Sequence, residues 1–147
     1  MLNDREKVMQ LKRNFESYGY YVKSKHEIDL KIVEINTKLE GLSSPRVKEV
    51  FIENKSYHNN IIELTERRER FEKLSAKYQV KIQALEKLIT LIPLKRDQYL
   101  IQDYYFNNLS RQNISKKYNY HSAGLARKVN KILLEIVRNY LYKDLEI

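Results

Sequence analysis

The sequence predicts an all-α protein with a long N-terminal helical hairpin or coiled coil, followed by a C-terminal helix-turn-helix domain. The 147-residue chain has only three Gly and two Pro, the residues that most often interrupt helices. Apolar residues recur at spacings of three and four over most of the chain, as on one face of a helix. Residues 104–134 are basic and contain no Asp or Glu, whereas the whole chain has 19 acidic residues.

Residues 4–40 are predicted to form the first long helix. Its apolar stripe consists of Val8, Leu11, Phe15, Tyr18 and Val22, and then Ile28, Ile32, Ile35 and Leu39. The spacing slips between the two halves, close to Gly19, which predicts a kink or a change of packing partner. Gly41 is expected to end the helix, because glycine readily adopts the left-handed conformation found at helix ends. A turn around Pro45 then leads to a short helix or loop at residues 46–56.

Residues 57–92 form the clearest periodic segment of the chain. Eleven positions follow alternating spacings of four and three, and nine are apolar: Tyr57, Ile61, Leu64, Arg68, Phe71, Ser75, Tyr78, Ile82, Leu85, Ile89 and Ile92. Five heptads of this repeat predict coiled-coil packing. Arg68 and Ser75 are polar seam residues that can set the register of the pair. The partner is either the first helix of the same chain or the same helix of a second chain, and the sequence does not decide between them.

The next helix is predicted from Pro93 to residue 106, with Pro93 at its first position. It is expected to support the helix-turn-helix, and its aromatic residues are assigned to the core rather than to stacking on bases: Tyr104, Tyr105 and Phe106. Residues 1–92 are therefore assigned to dimerisation or partner binding, and residues 93–147 to a helix-turn-helix domain. The tail from Arg138 to Ile147 is expected to continue the last helix or to fray.

The first helix of the predicted motif begins after Ser110, whose hydroxyl can accept a hydrogen bond from a free backbone N–H. Ile114 and Tyr118 lie four residues apart on its buried face. Asn119 tolerates a left-handed backbone, so it can end the helix and start the turn. Tyr120 is expected to pack inward beneath the turn.

The second helix of the motif is capped by His121 or Ser122, and Ser122 is the better cap by residue type. Its buried stripe has spacings of four, three and four: Leu125, Val129, Ile132 and Ile136. In such motifs the second helix lies in the major groove of DNA while the first crosses the phosphate backbone. This arrangement predicts a protein that binds double-stranded DNA.

Basic and small residues outside the buried stripes are the candidate DNA contacts. Phosphate contacts are expected from Arg111, Lys116 and Lys117 on the first helix and from Lys131 further along. Groove-facing positions are expected at Ser122, Ala123, Gly124, Arg127 and Lys128. Arg127 is the expected base contact, because a guanidinium group binds guanine through two hydrogen bonds.

The segment from Leu109 to Lys131 resembles the helix-turn-helix of sigma-factor region 4. It is most similar to that of the sigma-70 region 4-like phage regulators of the ArpU, RinA and LtrC kind. The resemblance covers residues 85–137 and implies a late gene activator, of a phage or a mobile element, that also contacts RNA polymerase. Asn119 stands where the family usually has Gly, and Asn113 and Ser115 stand where it usually has Glu and Ala. The departures at Asn113 and Ser115 put the packing between the two helices in question. Arg111 and Gln112 also depart from the usual pattern.

The net charge of +9 is concentrated near the C-terminus. Residues 93–147 contain ten Lys or Arg and five Asp or Glu, an excess of +5 within about a third of the chain. This asymmetry favours a polyanionic partner for the C-terminal region. The chain has no Cys, and its three His residues lack metal-ligand spacing, so no metal or other cofactor is expected. The sequence has neither a nucleophile motif nor a phosphate-binding loop, so an enzyme is not expected.

The expected function is sequence-specific binding of double-stranded DNA in transcription regulation, in the cytoplasm of a bacterial host cell. No apolar run long enough to span a membrane is present, and no membrane partner is expected. A homodimer through the long helices is possible on sequence grounds. One alternative is an interaction protein whose coiled coil binds a partner such as RNA polymerase without reading DNA. Another is RNA binding through basic residues and the 12 Tyr.

Overall fold

A computed structural model describes residues 2–42 and 55–139, with side chains from residue 58 onward in the second range. The described residues form helices and no strand, so the predicted all-α class is confirmed. The helices are α1 (Asp4–Glu16), α2 (Tyr18–Leu42), α3 (Lys55–Thr90), α4 (Lys95–Ile101), α5 (Arg111–Tyr118) and α6 (Ser122–Asn139), with one π-helical turn (Gln102–Phe106) after α4. The predictions for residues 43–54, which include the turn around Pro45, and for residues 140–147 lie outside the described residues.

The chain divides into two compact units. One contains residues up to 21 together with residues from 81 onward, and the other contains residues 22–80. This division differs from the predicted boundary between residues 92 and 93. The difference arises because Leu11 and Phe15, near the N-terminus, are buried in the same core as the C-terminal helices.

The break between α1 and α2 lies at Ser17, where a single helix over residues 4–40 was expected. The Ser17 hydroxyl donates to the Arg13 carbonyl oxygen at 2.9 Å, and such bonds back to the preceding turn often bend helices. The kink predicted close to Gly19 is thus found as a bend at Ser17, whereas the slip in the apolar stripe between Val22 and Ile28 lies within α2. Beyond the bend, Val22 is 41 % exposed, so its assignment to the buried stripe is wrong, and the neighbouring Tyr21 is half-buried instead.

Two predicted helix ends are also corrected. Gly41 does not end α2, because the helix continues to Leu42 and none of the described glycines has a positive φ angle. Pro93 does not begin α4, which starts at Lys95 with Leu94 at the capping position. The Gln98 side chain donates to the Ile92 carbonyl oxygen at 2.6 Å and so satisfies one of the polar groups that the turn leaves free.

The unit of residues 22–80 is an antiparallel hairpin of α2 and α3. Ser75 donates to Asp29 at 2.6 Å, and Arg68 donates to Asn36 at 3.2 Å. A step of seven residues forward on α2 thus matches seven residues back on α3. Every described position of the predicted α3 seam is buried or half-buried, which confirms the heptad assignment. Of the two partners that the sequence allowed for α3, the structure has the first helix region of the same chain.

The other unit has one hydrophobic core to which all its helices contribute. Its most deeply buried side chains are Leu11, Phe15, Leu85, Ile89, Leu100, Ile101, Ile114, Leu125, Ile132, Leu133 and Ile136. The ring of Phe15 stacks on that of Tyr105, with centroids 5.4 Å apart. Tyr104 and Phe106 are half-buried against the same core. The assignment of these aromatic residues to the core is confirmed.

The antiparallel register predicts which engineered cysteine pairs can form a disulfide in this Cys-free chain. Asp29→Cys/Ser75→Cys is expected to give an intramolecular disulfide under mild oxidation, because these side chains meet across the seam. Asp29→Cys/Arg68→Cys is the control, since it displaces one cysteine by about 10 Å along α3. Non-reducing electrophoresis measures both products. Equal crosslinking of the two pairs, or crosslinking only between chains, would contradict the hairpin.

Candidate nucleic-acid interface

The helices α5 and α6 and the turn between them form a helix-turn-helix. The Ser110 hydroxyl accepts from the Asn113 backbone N–H at 3.2 Å, so the predicted cap of α5 is confirmed. Asn119 has φ 61° and ψ 45°, the left-handed conformation expected at the end of this helix. The Leu125 N–H donates to the His121 carbonyl oxygen at 2.8 Å. His121 thus takes the capping position, and Ser122, the preferred cap by type, is the first residue of α6.

The two helices bury the faces that the sequence predicts. Ile114 and Tyr118 of α5 are buried, as are the four predicted stripe residues of α6. Leu133 and Val137 of α6 are buried as well, so its apolar face is wider than the predicted stripe. The helix α1 lies against α6.

Tyr118 and Arg96 attach the turn to the rest of the unit. The Arg96 guanidinium donates to the Tyr118 carbonyl oxygen at 2.5 Å and lies 5.6 Å from the centroid of the Tyr120 ring. The Tyr118 hydroxyl donates to the Asp103 carboxylate at 2.5 Å. Tyr120 is half-buried against the core, which agrees with its predicted inward position.

The Asp103 carboxylate is buried at the junction between the π-helical turn and α5. It accepts hydrogen bonds from Lys117 at 2.7 Å, Tyr118 at 2.5 Å and the Asn107 amide at 2.8 Å. Burial by itself raises the pKa of Asp103, but these three donors outweigh it and lower the pKa below its ordinary value of 3.8. Burial and the neighbouring carboxylate raise the pKa of Tyr118. The charged form of Asp103 is therefore the one that holds α5 in place.

Ser115 is one of the positions at which this chain departs from the sigma region 4 pattern. Its side-chain oxygen is buried and has no hydrogen-bond partner among the described residues. This oxygen lies on α5, beside the turn.

The exposed face of α6 carries positive charge and no acid through its first ten residues. Ala123, Arg127, Asn130 and Lys131 are exposed and lie at spacings of four, three and one, which places them on the side opposite the buried stripe. Glu135 is the first acidic residue on the helix. A methyl group at Gly124 would meet no atom within 4 Å, so packing within the chain does not require glycine there.

A groove between α5 and the first turn of α6 adjoins this face. Its lining residues are Arg111, Gln112, Ser115, Lys116, Asn119, Tyr120, His121 and Ser122, and none of these eight described residues is acidic. The free backbone N–H groups at the start of α6 add a partial positive charge at this end of the helix. The groove is therefore suited to an anion such as a phosphate group.

The structure separates the predicted DNA contacts into two groups. The first group is exposed or lines the groove: Arg111, Lys116, Ser122, Ala123, Arg127 and Lys131. Gly124 is half-buried next to them. Lys117 and Lys128 form the second group, because their ammonium groups pair with carboxylates: Lys117 lies 2.7 Å from Asp103, and Lys128 lies 3.5 Å from Asp97.

Several residues of this region escaped the sequence reasoning. Asn130 shares the exposed face with Arg127. It could have been found from the sequence, because residues three apart on a helix lie on the same face. Arg96 and the two buried acids, Asp97 and Asp103, lie on α4 and the π-helical turn. Their roles depend on contacts between helices, for which the sequence carries no local signal.

Comparison with protein-family models, with curated proteins and with solved structures gave no match. Within residues 2–42 and 55–139, no helix is both long enough and apolar enough to cross a membrane. The same residues contain no cluster of three or more His, Asp or Glu that could bind a metal ion.

The left-handed turn predicts a distinctive order of stability for substitutions at Asn119. Asn119→Ala is expected to lower the free energy of unfolding by about 1–2 kcal/mol, because a Cβ is strained in this conformation and Ala lacks the local hydrogen bonds of Asn. Asn119→Gly is expected to change it by less than about 0.5 kcal/mol. Urea unfolding measures both values. Asn130→Ala, in the right-handed backbone of α6, is the matched control and should not destabilise; a loss there equal to that of Asn119→Ala would contradict the explanation.

Proposed function

We propose that the protein binds double-stranded DNA in a sequence-specific manner and regulates transcription, with α6 as the recognition helix. The observation that carries the proposal is the exposed face of α6, where Ala123, Arg127, Asn130 and Lys131 lie together and no acidic residue of the helix precedes Glu135. An α-helix fits the major groove, where each base pair has its own pattern of donors and acceptors. The small Ala123 near the start of α6 allows the helix to approach the bases closely.

Two side chains on this face have the chemistry to read bases. Arg127 can donate two hydrogen bonds to guanine, and Asn130 can exchange two with adenine. Both side chains are exposed, and no carboxylate of the described residues pairs with Arg127. A guanidinium group without an ion pair, next to the amide side chain of Asn130, favours base recognition over charge attraction alone.

The groove beside α6 supplies the contacts that place the helix on the duplex. Arg111 and Lys116 line it, and Lys131 lies on the exposed face further along α6. Phosphate contacts of this kind fix the orientation of a protein on DNA without reading its sequence. The positions of these cations at both ends of the exposed face agree with a DNA backbone that passes on either side of α6.

The finer parts of the proposal rest on the resemblance to sigma region 4. They are activation of late genes in a phage or mobile element and contact with RNA polymerase. A homodimer would place two copies of α6 on two half-sites about one helical turn of DNA apart. Within residues 22–80 the seams of α2 and α3 are used inside the chain, so such a dimer needs other faces of the long helices.

The first test is selection from a pool of random duplexes at physiological salt, followed by measurement of Kd for the selected sequence and for a scrambled one. Arg127→Ala is expected to cost about 1–3 kcal/mol on the selected sequence, through the lost base contact. Its effect on the scrambled duplex is expected to be much smaller, because phosphate contacts remain. Affinity for both duplexes should fall steeply as salt rises.

Arg70→Ala is the matched control, because Arg70 is an exposed arginine on α3, in the other unit. It removes the same charge and should leave both Kd values nearly unchanged. Equal weakening of all duplexes by Arg127→Ala would contradict base reading by this residue. Selection of single-stranded RNA, or binding to RNA polymerase with no DNA binding at any salt concentration, would overturn the proposed function.

A further inference from the structure

Two buried carboxylates lie beneath the helix-turn-helix. Asp97 on α4 and Asp103 on the π-helical turn are each 6 % exposed. A buried carboxylate is costly to maintain unless a cation or several hydrogen-bond donors compensate for the lost water. Both carboxylates face helices that contact DNA in the proposed function. The residues that pair with these carboxylates therefore affect the orientation of those helices.

The compensating cations come from α5 and α6. Lys117 reaches Asp103 at 2.7 Å, where Tyr118 and Asn107 also donate. Lys128 reaches Asp97 at 3.5 Å, and its side chain is only 25 % exposed. These pairs join α5 to the π-helical turn and α6 to α4.

The residues next to these lysines differ from them in ion pairing. Exposure does not separate the two kinds, because the Lys117 side chain is 57 % exposed. Lys116 lines the groove, and Arg127 and Lys131 are exposed. None of the three makes an ion pair with a described carboxylate. Because consecutive residues of a helix point about 100° apart, Lys116 and Lys117 face different directions, and so do Arg127 and Lys128.

We propose that Lys117 and Lys128 are positioning residues, which bind Asp103 and Asp97 and thereby fix the orientation of α5 and α6, and that they do not contact DNA phosphates. The inference rests on the proposed function. It limits the cations that contact DNA to basic residues outside these two ion pairs. Sequence discrimination then depends on the Asp97–Lys128 pair, although neither residue touches a base. A phosphate that drew either lysine away from its carboxylate would leave that buried carboxylate without its cation.

Salt dependence separates the two kinds of lysine in the full-length chain. For each variant, Kd for the selected duplex is measured over a range of salt concentrations. Lys116→Met and Lys131→Met are each expected to reduce the slope of log K against log salt by about 0.9, the value for one lost phosphate contact. Lys117→Met and Lys128→Met keep the slope of the wild type. Lys117→Met is compared with Lys116→Met on α5, and Lys128→Met with Lys131→Met on α6. The substitution and the helix are therefore the same within each comparison.

Discrimination is the second readout, because a merely structural loss of stability would not change it in folded protein. The ratio of Kd on scrambled and selected duplexes is expected to fall by about 2- to 100-fold in Asp97→Asn and in Lys128→Met, the range of coupling within one network. Lys128→Arg should restore most of it. Urea unfolding confirms that each variant is folded. If a single variant does not fold, the double variant Asp97→Asn/Lys128→Met takes its place, because it has no unpaired buried charge.

The outcomes distinguish the inference from the function beneath it. A slope reduced by Lys117→Met or Lys128→Met as much as by Lys116→Met or Lys131→Met overturns the inference and leaves DNA binding intact. Unchanged discrimination in both Asp97→Asn and Lys128→Met also overturns it. A wild-type chain that binds no duplex at any salt concentration refutes the proposed function, and the role of these pairs in reading DNA falls with it.

Discussion

The position of the turn between α5 and α6 depends on Tyr118. Its ring is buried, its hydroxyl donates to the charged Asp103 carboxylate, and its carbonyl oxygen accepts from Arg96. The next residue, Asn119, turns the chain through the left-handed conformation and starts the approach to α6. The turn is thus fixed on both sides, by a buried carboxylate and by a surface arginine. The helix α6, which we propose as the recognition helix, therefore has a defined orientation before any partner binds, and this reduces the ordering that binding would require.

The predictions that succeeded rest on local or periodic constraints. The buried stripes of α3 and α6 were predictable because an apolar residue every three or four positions has one packing solution on a helix. The Ser110 cap and the turn at Asn119 were predictable because few residue types satisfy a free N–H or tolerate a left-handed backbone. The partner of α3 was not predictable, since a heptad seam fits either a helix of its own chain or one of a second chain.

The features that sequence reasoning missed depend on contacts between distant parts of the chain. The bend at Ser17 is different, because its existence was predicted close to Gly19 and only its exact position was not, since serines occur inside helices without such a bend. Lys128 and Arg127 are neighbours with the same charge, and the sequence contains nothing to indicate that one of them faces Asp97. For the candidate site, the acid-free stretch is visible in the sequence, and its role as a DNA-binding surface stays a prediction. The sequence could not divide the cations of that stretch by the direction in which they point.

We propose that a duplex binds to the exposed face of α6 and to the groove beside it. The binding surface can be mapped from amide chemical shifts by NMR, with the selected duplex added to isotope-labelled full-length protein. Shifts are expected to concentrate at residues 111–131, with the amides of the hairpin at residues 22–42 and 58–80 unchanged. Shifts concentrated in the hairpin, or spread evenly over the basic residues of the chain, would contradict the proposal.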